Sequence, residues 1–288
     1  MEKSANKEIH HYTPGQTSQG HFFQVWWQVI YNVFRYRDLV WQLTRVDLLG
    51  QLKRSMLGVA WLFINPIVVV LVWLFLNKAG VFNPGETDIP YPAYVLLSTS
   101  LWNFFEGLFE NISKSITTAG PMFIQAKFPH EVVVAQKMLV HLINFSIPFA
   151  LNIGVLLAFG VEFSWGSLLF PLALIPLFLF AASLGLIFSV VEVVAVDIYN
   201  GFQRLLHYLI YATPVVYSDK ISSPLIQSII QYNPITYLLG GARDVLLKGT
   251  LTDPSSFYIW SGFTVLFFLI VVRVFVAAEQ KVIERITA

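Results

Sequence analysis

The sequence predicts an all-α integral membrane protein: six transmembrane helices, an N-terminal amphipathic interface helix, and two external re-entrant half-helices between helices 5 and 6. Three observations predict it. Hydrophobic residues make up 56% of the 288-residue chain and charged residues 12%, with a mean hydropathy of +0.65; that is about half the charged fraction usual in soluble domains. The apolar residues gather in six stretches close to or above the roughly 20 helical residues that cross a hydrocarbon core. None shows the alternation of a barrel strand, and a helix satisfies its own backbone polar groups in lipid.

Residues 1–20 are polar, with Lys3, Lys7, His10, His11 and Pro14, and lack the apolar core of a signal peptide. They are expected to form a disordered cytoplasmic tail. Residues 21–56 are expected to form cytoplasmic interfacial helices. Within 38–56, Leu39, Leu43, Val46, Leu49 and Leu52 recur at helical spacing while Gln42, Arg45, Lys53 and Arg54 are polar. That is the pattern of a helix lying along a membrane surface. Residues 22–34, with Trp26, Trp27 and Tyr31, read as a second interfacial piece. A plain anchor for the N-terminus is the alternative reading of both.

The transmembrane domain covers 57–278, with spans at 57–76, 92–109, 132–160, 168–194, 202–217 and 257–278, and a cytoplasmic tail follows at 279–288. Asn103 and Glu106 interrupt the second span, and the fifth is short. Fourteen of the eighteen Lys and Arg fall on one side of this layout; Lys78, Lys220, Arg243 and Lys248 fall on the other. The positive-inside rule then places both termini in the cytoplasm. Between the fifth and sixth spans, 221–247 fits neither a span nor a plain loop. Ser223-Pro224 starts one apolar segment, Asn233-Pro234 breaks it, and a second follows. Each half is too short to cross, so a re-entrant pair is expected where protein buries it or it lines a cavity. A structural plug is the alternative.

The chain carries no G-x-x-x-x-G-K-[ST], H-E-x-x-H or G-x-S-x-G pattern and no cysteine, and its six histidines, His10, His11, His21, His130, His141 and His207, lack metal-ligand spacing. No catalytic residue, metal or cofactor is expected in this chain, and no basic block points to nucleic acid. Ionisable residues inside spans are few: Glu106, Lys137, Glu192 and Arg273. The last three lie near cytoplasmic ends, where snorkelling or pairing accounts for them; the role of Glu106 stays open. With no chain of buried acids, the energy source is expected in another subunit. Trp61, Trp73, Tyr91, Trp102, Tyr217 and Trp260 fall near span ends, as interfacial belts do. Tyr208 and Tyr211 share one face deeper in the fifth span. An aromatic-lined tunnel would offer ring faces to sugar C–H groups; helix packing is the plain alternative for any single ring.

The order of these parts resembles a known family. Arg54, Leu57-Gly58 and Trp61, followed by Asn65-Pro66, resemble the lead-in to the first span of ABC-2-type permeases in polysaccharide exporters. Lys127-Phe128-Pro129 resembles that family's K-x-x-F-P region, with Lys here directly before Phe-Pro. Asp197 matches an R-D position whose basic member is replaced by Val196. Pro214-Val215-Val216-Tyr217, Tyr232-Asn233-Pro234 and Gly241-Ala242-Arg243 resemble its S-P-V-I-Y, N-P and G-x-R elements. The resemblance runs from about residue 30 to 278.

It implies an ABC-2 (type V) exporter fold in the bacterial inner membrane. This chain would homodimerise and pair with two cytoplasmic ABC ATPase subunits, which would bind ATP and Mg. The implied cargo is a lipid-linked polysaccharide, such as an undecaprenyl-diphosphate-linked O antigen, a capsule or a teichoic acid polymer. By the same resemblance, Arg45, Lys53, Arg54, Lys127, Phe128, Pro129, His130 and Glu131 would couple to the ATPases. Trp61, Trp73, Tyr208, Tyr211, Tyr217, Tyr232, Asn233, Tyr237 and Arg243 would line or gate a tunnel. Competing readings are drug or lipid cargo, a passive channel, and a membrane enzyme acting on polyprenyl-linked sugars; the last lacks the charged cluster it needs.

Overall fold

A computed structural model describes residues 22–53, 60–119, 128–219 and 224–287. The predicted tail at 1–20, Arg54 and the lead-in at 54–59, Lys127 and Ser223 lie outside the described residues. Every regular element among the described residues is helical.

Helices α1 (Phe22–Arg35) and α2 (Arg37–Lys53) meet at Tyr36. α1 has two apolar faces. Val25 is fully buried against the bundle and Trp26 lies against Phe268, whereas Trp27, Ile30, Tyr31 and Phe34 form an outward stripe at helical spacing. α2 turns inward the face beside its apolar stripe, and Leu39 at the start of the stripe packs with it. Val40, Thr44, Asp47 and Gln51 meet the rest of the protein, one residue round from Leu39, Leu43 and Val46. Val46 and Leu49 stay exposed, as suits a helix lying against lipid.

Among the described residues, three helices are long and apolar enough to cross a membrane. They are α5 (His130–Ala158), α6 (Phe170–Val194, with a 3-10 turn at Trp165–Leu169 before it) and α10 (Pro254–Thr287, apolar over Pro254–Ala278). α3 (Ala60–Lys78) supplies a shorter apolar run, Ile67–Lys78. α4 (Tyr91–Ser113) has the length, but Glu106 and Glu110 interrupt its apolar sequence. α6 is apolar all round and sits at the centre, packed on α4 and α10. Gly185 lets α6 approach α4 closely, since a Cβ there would stand 2.7 Å from Ile112 Cβ. α10 runs helical past the predicted end of the sixth span at Ala278, because Glu279, Gln280, Lys281, Glu284 and Arg285 are good helix formers in water.

The predicted fifth span, 202–217, needs correcting at both ends. α7 runs from Val196 to Tyr208 and continues as a 3-10 turn, Leu209–Ala212. It starts early because Ala195, with φ −149° and ψ 79°, already breaks the chain after α6. It ends early because Pro214 disfavours helical backbone at Thr213, whose φ and ψ are −121° and 140°. The chain from 213 to 218 then turns back over the start of α4. The two half-helices are α8 (Pro224–Tyr232) and α9 (Pro234–Lys248), each opening on Pro. α8 is largely exposed, while α9 is buried against α6, α10 and α4 and ends on Gly249 at φ +71°.

Candidate translocation face and coupling region

At the end of the bundle that carries α1 and α2, short helical turns converge on the start of α5. Phe128 is buried with Val40, Ala119, Val132 and Val133 in a small core separate from the main one. Pro129, His130 and Glu131 are buried as well. Glu131 sits in the first turn of α5, where a carboxylate suits the helix dipole, and accepts a 3.4 Å hydrogen bond from Asn32 Nδ2. One turn along, Asp47 of α2 takes Lys137 Nζ at 2.8 Å and Gln136 Nε2 at 3.1 Å. Burial pushes the Asp47 carboxyl up, but the hydrogen bonds from Lys137 and Gln136 outweigh it and hold its pKa below the usual value. A cavity of about 510 Å³ opens beside this pair, walled by Leu43, Val46, Gly50, Thr118 and Val133.

A second region runs along α3, α4 and α7. Glu106 joins α4 to α7: its Oε1 lies 2.9 Å from His207 Nδ1, and its Oε2 accepts from Trp102 Nε1 at 3.1 Å. His207, Asn103, Tyr208 and Tyr211 are exposed, as is Trp61 of α3, and Asn103 stands about one helical turn before Glu106 on α4. Trp61, Asn65, Ser100, Asn103 and Asn144 share a cavity of about 210 Å³ between α3, α4 and α5. His141, which also borders it, is a packing histidine, held by the Phe104 carbonyl at 2.8 Å.

The opposite end is pinned. Arg243 of α9 is buried and donates through one terminal nitrogen to Tyr94 Oη at 2.7 Å, Ser98 Oγ at 3.1 Å and the Pro214 carbonyl at 3.1 Å. Its guanidinium lies 4.6 Å from the centre of the Tyr94 ring. Tyr94 Oη also reaches the Tyr217 carbonyl at 2.9 Å, and Tyr217 Oη donates to the Tyr211 carbonyl at 3.0 Å. Asn233 caps α9 through Ile235 N at 3.0 Å and donates to Thr213 Oγ1 at 2.8 Å. These bonds tie the 213–218 turn, the α8–α9 junction and α4 into one block.

The ABC-2 type transporter family matches residues 38–247, from α2 to the end of α9. The chain belongs to that family. Curated relatives of this ABC-2 chain include the O-antigen export system permease protein RfbA of Klebsiella pneumoniae, 24% identical over 226 residues that cover 77% of this chain and 85% of the relative. RfbA of Myxococcus xanthus is 24% identical over 231 residues, 78% of this chain and 86% of the relative.

Within this ABC-2 chain the predicted site residues separate by environment. Of the coupling set, Arg45 is exposed, Lys53 ends α2, and Phe128, Pro129, His130 and Glu131 are buried in the local core. Phe128 therefore joins α2, the segment at Ala119 and the start of α5 to one another. Of the tunnel and gate set, Trp61, Tyr208, Tyr211 and Tyr232 are exposed, while Tyr217, Asn233 and Arg243 build the pinned block. Trp73 stands edge-on to Phe82, and Tyr237 bonds the Gln231 carbonyl at 3.1 Å. Asp47 and the His207–Glu106 contact were not singled out by sequence, and Asn103 and Glu106 stood out only as interruptions of the second span. Their partners lie 89 to 101 residues away for Asp47 and Glu106, and no local spacing signals such a pair.

Proposed function

We propose that this ABC-2 chain is the transmembrane permease subunit of an ATP-driven exporter that moves a lipid-linked polysaccharide across the bacterial inner membrane. An O-antigen-like, undecaprenyl-diphosphate-linked polymer is the cargo. The observation that carries the reading is likeness to O-antigen export permeases along more than three quarters of the chain. The exposed aromatic and polar side chains of α3, α4 and α7 support it, because an extended glycan needs ring faces and hydrogen-bonding groups in its path.

In this reading six helices span the membrane, with α3, α4 and α7 joining the three long apolar ones, and both termini are cytoplasmic, following the basic residues. Two copies enclose the path with closed symmetry. Two ATPase subunits bind ATP and Mg and dock below α2 and the start of α5. The exposed Arg45, with Lys53, Arg54 and Lys127, meets the ATPase. Phe128, Pro129, His130 and Glu131 transmit its movement into α5. ATPase closure shifts the dimer between closed and conducting states by binding them unequally. The pinned block around Arg243 gives the external gate a rigid frame, and Tyr232 on α8 is its exposed edge.

The test is co-expression of this chain with the ABC ATPase encoded beside it, in cells that make a polyprenyl-linked polymer. Co-purification, together with surface polymer that disappears when this chain is deleted, is the expected outcome. A chain that associates with no ATPase overturns the ATP-driven exporter, and a deletion that leaves surface polymer untouched while drug or lipid efflux falls overturns the cargo.

A further inference from the structure

A span that faces only lipid should expose only apolar side chains, since a polar or charged group in the hydrocarbon costs several kcal/mol. α10 obeys this: Ile259, Leu266, Ile270 and Val274 are among its exposed side chains. The face of α4 and α7 does not. Asn103 and His207 are exposed there, and Glu106 bridges the two helices.

The chemistry of that cluster is specific. Each oxygen of the Glu106 carboxylate already takes one donor, from His207 or Trp102, and each retains capacity for a second. The His207 ring is bound through Nδ1, and its side chain is 66% exposed, so Nε2 is the nitrogen left for a ligand. Asn103 adds an amide with both donors and an acceptor. The cluster thus presents donors and acceptors together around a negative charge. Hydroxyl groups, which give and take hydrogen bonds, match that arrangement; a diphosphate, which only accepts, leaves the Glu106 oxygens unmatched.

We propose that Asn103, Glu106 and His207 form a carbohydrate-hydroxyl-binding step in the translocation path, one that handles the sugar chain and not the diphosphate head. Tyr208, beside His207 with ring centroids 6.1 Å apart, supplies a neighbouring ring face. The inference rests on the polysaccharide-exporter reading and assigns to Glu106 and His207 a direct contact with cargo. Glu106 is held by Trp102 and His207 so that its free lone pairs are aimed before the sugar arrives, which limits the ordering cost of each weak contact.

The chain has no cysteine, so single cysteines can be introduced without a background. The experiment uses the full complex with its ATPase in polymer-producing cells and a charged, membrane-impermeant methanethiosulfonate as the probe. Asn103→Cys should react at least tenfold faster than Ile270→Cys on the lipid face of α10. Its labelling should slow several-fold when polymer is being made, compared with a strain blocked at the first sugar addition. In the same cells Glu106→Ala should lower surface polymer at least fivefold, and Glu106→Gln, which keeps one acceptor oxygen, should lower it less. Slow labelling at position 103, or equal labelling with and without polymer, overturns the site and points to a subunit contact or a structural pair. Full export by Glu106→Ala in cells where the wild-type complex exports overturns the site alone. No polymer export by the wild-type complex removes the exporter reading, and this inference with it.

Discussion

The exposed faces of α10 and of the α4–α7 pair lie on the same bundle, yet they are built by opposite rules. α10 turns Ile259, Leu266, Ile270 and Val274 outward. The other face turns out Asn103, His207, Tyr208 and Tyr211 and holds a carboxylate in contact with histidine. In water neither face would be remarkable for exposure alone. In a bilayer the first is the ordinary solvent contact, and the second is tolerated only where it meets water, cargo or another subunit. Apolarity marks the surface suited to lipid, and departures from it mark surface that lipid alone does not suit.

The largest effect that would break this contrast is a charge on the wrong side. Ile270→Asp should cost about 2.5–3.5 kcal/mol of insertion free energy, whereas Asn103→Asp should cost under about 1 kcal/mol if that position meets water. Comparing membrane-inserted yield of the two variants checks it, and equal losses would erase the distinction between the faces. Arg243→Met comes next. It removes three hydrogen bonds from a charged donor and leaves Tyr94 and Ser98 without that partner, a loss of roughly 2–4 kcal/mol. Thermal unfolding in detergent reads it. An unchanged midpoint would mean the pinned block adds nothing to that end of the bundle. Gly185→Val follows at about 1–3 kcal/mol from overpacking, because its first added carbon already meets Ile112. Gly262, where a Cβ meets nothing within 4 Å, is the matched control. A midpoint that falls as far for Gly262→Val would show that the loss at 185 does not come from overpacking against Ile112.

Much of the bundle was legible because hydrophobic runs and prolines act locally. The third, fourth and sixth spans and the Asn233-Pro234 break between α8 and α9 fall where the sequence puts them. The fifth was misplaced because its apolar run and its helix do not coincide. Tyr217 continues the run but lies beyond the break set by Pro214, and Val196 belongs to the helix although polar Asp197 and Asn200 follow it. On α2 the exposed Val46 and Leu49 suit the surface helix that the period suggests, whereas the inward contacts of Thr44, Asp47 and Gln51 carry no periodic signal. Arg243 shows the limit for single residues. Its motif drew it into the gate set, but its role follows from Tyr94 and Pro214, which are 149 and 29 residues away.

The same contrast recurs in miniature on α2, where Val46 and Leu49 face out and Asp47 faces α5. The Asp47–Lys137 pair is half-buried, so solvent screening limits it to about 1 kcal/mol. Asp47→Asn removes the charge and leaves Lys137 without its anion, and should lower the unfolding midpoint by about 2–4 °C. The pH dependence sharpens the assignment. The folded carboxyl is held below its ordinary value of 3.8, so its contribution is complete above that value and disappears as pH falls through the lower, folded pKa. The gap between wild type and Asp47→Asn should therefore stay constant from pH 8 to about pH 5 and close only in stronger acid. A gap already shrinking between pH 7 and 6 would mean that a group other than Asp47 carries the dependence, and would move the α2–α5 clamp from a fixed strut to a titrating one.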